Sequence, residues 1–232
     1  LDTARGYTVS EDYIAYAIEG IRAHFVLATK SMARTKEAME KDIDLSLKNL
    51  RTDYIDLYQV HNPSAADLEK VCAPGGALEA LQEAVKAGKI GHIGITLHSK
   101  EVFEMALQLP WVETVMFPYN IVETQAEDLI AQCARKNIGF IDMKPLAGGA
   151  IDDPVTALRF IVRNPAVTVV IPGMETVQEA AQNLQTVNDL PPYSPQEQEA
   201  VEKIRKELGN HFCRRCNYCA PCSVGINIPG VF

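Results

Sequence analysis

Four side chains of this sequence have the types and positions to form one proton-handling site. Asp2 and Tyr7 lie in LDTARGY, Lys30 in VLATKS and His61 in IDLYQVHNP, each at or just beyond the end of a predicted strand. A lysine that ends an apolar strand is costly to bury unless an anion pairs with it. Asp2, one strand away, is the expected partner. A phenol beside a lysine ammonium has its anion favoured, which lowers a pKa that starts near ~10. Tyr7 so placed can protonate a carbonyl oxygen near neutral pH, a contribution of roughly 10²–10⁴ in rate for a general acid. His61 on the next strand can orient and polarise that same oxygen.

The second chemical group is sulfur. CRRCNYCAPCSVGINIP places Cys213, Cys216, Cys219 and Cys222 within ten residues, with two-residue gaps repeated three times. Such crowding without a secretory signal points to a metal centre rather than disulfides. Zinc sites usually pair two CxxC units across a longer spacer, so zinc is the minor alternative. Dense cysteine runs followed by proline resemble bacterial ferredoxin motifs, although those have three residues before the last cysteine. Cys72 and Cys133 stand alone and are expected to be small buried apolar residues.

The elements that must position these groups alternate. Predicted strands at 25–31, 54–60, 92–96, 114–120 and 167–173, and a strand running into a glycine-rich turn over 139–149, are separated by predicted helices at 35–50, 77–88, 99–109, 123–137 and 153–164. Further helices are predicted at 10–23, 176–187 and 195–209, and 63–76 is loop-like. The 35–50 helix carries Met39, Ile43, Leu47 and Leu50 along one stripe. Alternation of this kind indicates parallel βαβ units. Counting LDT as a strand end gives seven strands. The reactive residues end the first three and glycine-rich turns end the last two, an arrangement that one rim of a (β/α)8 barrel would gather. The expected fold is therefore α/β, a (β/α)8 barrel over 1–194 lacking its first strand and helix, followed by a helix and cysteine-rich segment over 195–232.

Composition bounds the partners. The 232 residues suffice for one sizeable domain, with 47% hydrophobic and 22% charged residues. A net charge of −8 argues against nucleic acid or an anionic membrane surface. No apolar run approaches ~18 residues, the length of a membrane-crossing helix. No signal peptide is visible, and the expected location is cytoplasmic.

The four reactive residues and their flanks resemble the aldo-keto reductases. LDTARGY-x-x-SE is similar to that family's segment with the catalytic aspartate and tyrosine, LATKS to its lysine strand, and SLKNLRTDYIDLYQVH to its histidine strand. The correspondence runs through VTVVIPG and the following helix, about residues 1–190. It implies Tyr7 as proton donor, Lys30 and Asp2 as its tuning pair, His61 as the group that orients a small-molecule aldehyde or ketone, and NAD(P)H as the source of hydride.

The same resemblance places cofactor contacts at Thr96, Lys144, Leu146, Gly173, Met174, Gln182 and Asn183. It also marks departures. Leu97 and Met116 replace hydrogen-bonding carboxamide contacts, Met143 replaces an aromatic, and Glu179 stands where many members carry an arginine for the 2′-phosphate. Glutamate there would repel a phosphate, so the expectation is that NADH serves at least as well as NADPH or that dinucleotide binding is weak. The cysteine run is similar to a ferredoxin-like C-terminal extension carried by a subset of the family, which implies a [4Fe-4S] cluster and an electron-transfer partner. Two other functions fit the same residues: a redox- or nucleotide-sensing protein on a reductase scaffold, and a flavin and iron–sulfur electron carrier.

Overall fold

Short apolar runs become strands and amphipathic stretches become helices in the computed structural model, which describes residues 1–209, 213 and 219–231. The chain divides into two compact units, Leu1–Met116 with Arg135–Gly139, and Phe117–Ala134 with Phe140–Phe232.

In the first unit the order is α1 (Ser10–Ala17), β1 (Ala28–Ser31), α2 (Lys36–Leu50), β2 (Ile55–His61), α3 (Ala65–Cys72), α4 (Ala77–Lys86), β3 (Ile90–Thr96) and α5 (Lys100–Ala106). The strand β4 (Thr114–Pro118) follows, and its residues Thr114–Met116 pair with β3. Every pairing is parallel, with Lys30 opposite Gln59, His61 opposite Thr96 and Thr96 opposite Met116. That register sets the last residues of successive strands beside one another. Leu27, Tyr58, Val60, Ile93 and Ile95 are buried around the strands, and α2 packs on α4.

The LDTARGY stretch runs alongside β1 rather than forming a strand. Asp2 makes a single parallel bridge to Ala28, so six strands form among the described residues where seven were expected. Backbone bonds still tie it down: Ala28 N–H donates to Leu1 O at 2.8 Å, Thr3 N–H to Ala28 O at 3.0 Å and Arg5 N–H to Lys30 O at 2.9 Å. Glu11 anchors the far side. Fully buried, it accepts from Arg5, from Thr29 Oγ1 at 2.9 Å, from Ser46 Oγ at 2.8 Å and from Asn49 Nδ2 at 3.2 Å. A buried carboxylate so fully partnered links the loop, β1 and α2; removing it would leave the half-buried Arg5 with only the Asp42 carboxylate at 3.9 Å among the described residues.

Several local outcomes differ from the sequence-based expectation. The helix predicted over 10–23 stops at Ala17, because Gly20 takes φ +76 and a short 3-10 turn follows at Arg22–His24. The loop-like 63–76 contains α3, started by a capping box in which Ser64 and Asp67 satisfy each other's backbone N–H groups. Cys72 is exposed rather than buried, since α3 turns Leu68 and Val71 inward. Cys133 is buried as expected. On α2 the buried stripe is Met39, Ile43, Ser46 and Leu50; Ser46 displaces Leu47 because its hydroxyl reaches Glu11.

The second unit holds most of α6 (Glu127–Arg135) and of β5 (Gly139–Met143), then α7 (Pro154–Val162), β6 (Val169–Ile171), α8 (Val177–Asn188), α9 (Pro195–Leu208) and α10 (Ile228–Val231). β5 pairs parallel with β6, placing Met143 opposite Ile171. The core here is Ile121, Ala147, Ile151, Ala157 and Val201, with Ile204 and Leu208 of α9 packed against it. Polar ties reinforce α9: Arg205 Nε donates to Ile121 O at 3.1 Å, and Arg163, just after α7, meets Glu197 at 2.9 Å. Among the described residues no helix is long and apolar enough to cross a membrane.

Candidate functional site

Asp2, Tyr7, Lys30 and His61 come together in the first unit. Lys30 Nζ, almost fully buried at the end of β1, donates to Asp2 Oδ2 at 2.5 Å and to Thr3 O at 2.8 Å. Gln59 Nε2, on the paired residue of β2, donates to Asp2 Oδ1 at 3.3 Å. The Lys30 amine lies 5.0 Å from the centroid of the Tyr7 ring. That ring meets the His61 imidazole edge to face, with centroids 6.0 Å apart and planes at 88°. Tyr7 itself is 48% exposed, so the phenol stands at the surface while the pair behind it is enclosed.

The electrostatics follow from burial. Desolvation pushes the Lys30 ammonium below its ordinary pKa, and the charge and hydrogen bond of Asp2 oppose that shift. His61 is pushed down to about 4, first by burial and then by the neighbouring Lys30 and Arg34 charges. At neutral pH its ring is therefore uncharged, and Nδ1 is enclosed with no partner among the described residues. Arg34 holds the end of β2 from the other side. Its Nη2 donates to His61 O at 2.8 Å, and its Nε lies 3.7 Å from Asp67 of α3. A phenol backed by an ammonium and flanked by a neutral imidazole can give a proton to a bound oxygen and have the oxygen oriented as it does so.

The residues expected at a cofactor divide between the units. Thr96 belongs to the first, opposite His61 in the sheet, where its hydroxyl accepts the Asn62 N–H at 3.1 Å. Leu97 and Met116, the positions lacking a hydrogen-bonding side chain, are fully buried apolar residues joined by a backbone bond of 2.8 Å. Lys144, Leu146, Gly173, Met174, Gln182 and Asn183 all line one cleft of about 850 Å³ in the second unit, together with Asp152, Glu175 and Glu179. The volume lies in the range of ordinary ligand sites.

The turn that floors this cleft is built from backbone rarities. Lys144 and Ala147 take φ of +59 and +51, and Gly148 and Gly149 take +71 and +89. Buried Asn120 holds the turn in place, donating from Nδ2 to Lys144 O at 3.0 Å and to Glu123 Oε2 at 2.9 Å. The Lys144 amine is enclosed and has no hydrogen-bond partner among the described residues. A buried amine without a partner is a donor short of an acceptor. Sequence reasoning did not single out Asn120 or Glu11, because an asparagine after a strand and an acid at a helix start look ordinary there.

For the cysteines the picture is partial. Cys213, Cys219 and Cys222 are described and Cys216 lies outside the described residues. Among the described residues no group of three or more His, Cys, Asp or Glu side chains is placed to hold a metal ion. The Cys222 thiol is pushed below its ordinary pKa by the backbone N–H groups of Val224, Ile226 and Gly225. N–H donors around a sulfur favour the thiolate, the form that ligates metal.

Comparison with known proteins gives the family and the fold. The chain is 32% identical over 152 residues to the aldo-keto reductase YhdN of Bacillus subtilis, a match covering 59% of this chain and 44% of that relative's length. It is 24% identical over 231 residues to L-galactose dehydrogenase of Arabidopsis thaliana, covering 80% of this chain and 72% of the relative. Among solved structures it is similar to the holo form of aldo-keto reductase AKR11C1 from Bacillus halodurans, with a TM-score of 0.76 at 22% identity over 88% of this chain and 81% of the other. It is also similar to an aldo-keto reductase from Klebsiella pneumoniae in complex with NADPH, with a TM-score of 0.73 at 23% identity over 88% and 78%. These neighbours fit an α/β barrel-like fold. The model of the aldo/keto reductase family matches residues 1–156, and the chain belongs to that family of NAD(P)-dependent oxidoreductases.

Proposed function

We propose that this chain reduces an aldehyde or ketone with NAD(P)H, using Tyr7 as the proton donor. The observation that carries this is the Lys30 amine, held by Asp2 at 2.5 Å and lying 5.0 Å from the Tyr7 ring. When bound, the reduced nicotinamide supplies a hydride to the carbonyl carbon and leaves oxidised. Tyr7 gives its phenolic proton to the carbonyl oxygen, and the product is the alcohol. Lys30 offsets the negative charge left on the phenol, and Asp2 keeps the amine in position. Neutral His61 orients the oxygen without competing for the proton. Lys144, an enclosed and unpaired amine, fits a dinucleotide phosphate, and the five other expected cofactor positions of the second unit share its cleft. Thr96, opposite His61 in the sheet, is the one expected cofactor position in the first unit.

The test is oxidation of NADH and NADPH by small aldehydes, with Tyr7→Phe alongside. Turnover by the natural sequence that falls ~10²–10⁴-fold in the variant supports the assignment. Turnover unchanged by the substitution removes it. The buried apolar Leu97 and Met116 favour one other function, a nucleotide-sensing scaffold with little turnover. Dinucleotide binding without aldehyde-dependent oxidation would select it.

The proposal extends to a [4Fe-4S] cluster on Cys213, Cys216, Cys219 and Cys222, whose donor set suits iron and sulfide. The N–H groups around the Cys222 sulfur support this. Anaerobic reconstitution with iron and sulfide should give a brown protein with broad visible absorbance, lost in Cys222→Ser. A colourless protein after reconstitution would remove the cluster. A cluster that changes redox state with an added electron carrier would support an electron-transfer partner.

A further inference from the structure

Gln59 stands beside the proton-donating residues and has no part in the reaction proposed above. It is fully buried on β2, and its side chain makes one hydrogen bond among the described residues, from Nε2 to Asp2 Oδ1 at 3.3 Å. Its Oε1 is enclosed with no partner among the described residues. Burying a half-satisfied amide is costly, and an apolar side chain of similar size would avoid that cost. The sheet makes room for the amide all the same. Parallel register sets Lys30, Gln59, Gly94 and Thr114 in one row across β1, β2, β3 and β4. A Cβ on Gly94 would lie 3.1 Å from Gln59 Cγ and closer still to Thr114 Oγ1, so the glycine gives both side chains their space. What the amide holds is a carboxylate outside the strands. Asp2 makes a single parallel bridge to Ala28, so its side chain is aligned by its own bonds rather than by the register of a strand. Oδ2 meets the Lys30 amine at 2.5 Å, and Oδ1 takes the Gln59 N–H. Rotation of a carboxylate about its last bond is soft, and bonds to both oxygens stop it.

We propose that Gln59 is a positioning residue of the proton-donating unit, holding one oxygen of Asp2 so that the other stays on the Lys30 amine behind Tyr7. This rests on Tyr7 being the proton donor, as proposed above. A support of this kind acts on the rate of the chemical step, where small misplacements are costly, and not on substrate binding.

The experiment follows reduction of a small aldehyde by the full chain, for the natural sequence, Gln59→Met, Asp2→Ala and the double variant, with Tyr7→Phe alongside. Gln59→Met keeps bulk over Gly94 and removes the donor. Its kcat should fall about tenfold, the loss of one bond to a charged group, while the aldehyde KM and the melting temperature hold. On the Asp2→Ala background the same substitution should leave kcat within about twofold, because the carboxylate it serves is gone. A melting temperature that falls while kcat holds makes Gln59 structural and overturns the proposal. So does a full tenfold loss on the Asp2→Ala background. Gln59→Leu repeats the test with a second apolar side chain, and loss of the fold in both variants also overturns it. If turnover depends on Tyr7 but not on Gln59, this role alone fails. If the natural sequence shows no turnover, or turnover indifferent to Tyr7→Phe, the proposed function fails and this role with it.

Discussion

Lys30 and Lys144 are both amines at strand ends, and their surroundings differ. Lys30, closing β1, meets a carboxylate at 2.5 Å and a carbonyl at 2.8 Å before any ligand arrives. Lys144, just beyond β5, is enclosed with no hydrogen-bond partner among the described residues. The first arrangement is complete in itself: position and charge are set by the chain, as proton chemistry requires. The second leaves the amine without a partner among the described residues, which on the proposed function an anion supplies. On the proposed function, the paired amine serves the chemistry and the unpaired one serves binding.

Replacing each lysine by methionine should break this contrast in opposite directions, with the larger effect at Lys30. Lys30→Met leaves the largely buried Asp2 carboxylate without its cation, which should cost about 3 kcal/mol of stability. Aldehyde reduction should fall at least ~10²-fold as well. Lys144→Met removes a donor that has no partner, so stability should hold within about 1 kcal/mol or rise. Its cost should appear in dinucleotide affinity, with Kd raised about tenfold for loss of a charge-assisted bond. Thermal melts and dinucleotide titrations of both variants read the contrast, and equal loss of stability in the two would erase it.

A smaller effect comes from His61. The unfolded chain protonates this imidazole below pH 6.5 and the folded one only near pH 4. The unfolded state thus binds more protons across that window, and stability falls as pH drops through it. The contribution is intact above pH 6.5 and lost by about pH 4. For a half-buried ring partly screened by solvent it is on the order of 1–2 kcal/mol. Melting temperature against pH should be flatter for His61→Gln between these limits. An identical slope would mean that another group titrates there.

The first region was the more legible of the two. Asp2, Tyr7, Lys30 and His61 announce themselves because a lysine ending an apolar strand demands an anion, and parallel strands bring their ends to one edge. Their supports were harder to see. Glu11 reads as a helix-start acid, yet its carboxylate binds Thr29 and Ser46, 18 and 35 residues away in sequence. No local pattern encodes such a contact. Ser46 shows the same limit, displacing Leu47 from the buried stripe through a bond to a distant residue. In α3 the capping signal of Ser64 and Asp67 was present, but neighbouring Pro, Ala and Gly suggested a loop. The cleft of the second unit was named residue by residue only through family likeness. Its shape depends on left-handed backbone at Lys144, Ala147, Gly148 and Gly149, and glycine composition alone does not specify that path.

The central claim is that Tyr7 and Lys30 act as one proton-donating unit, and a double-mutant cycle on kcat/KM for a small aldehyde tests it most directly. If the phenol works only because the ammonium stands behind it, combining Tyr7→Phe with Lys30→Met should cost about as much as Tyr7→Phe alone. Losses that multiply, each substitution acting in full on the background of the other, would contradict the account.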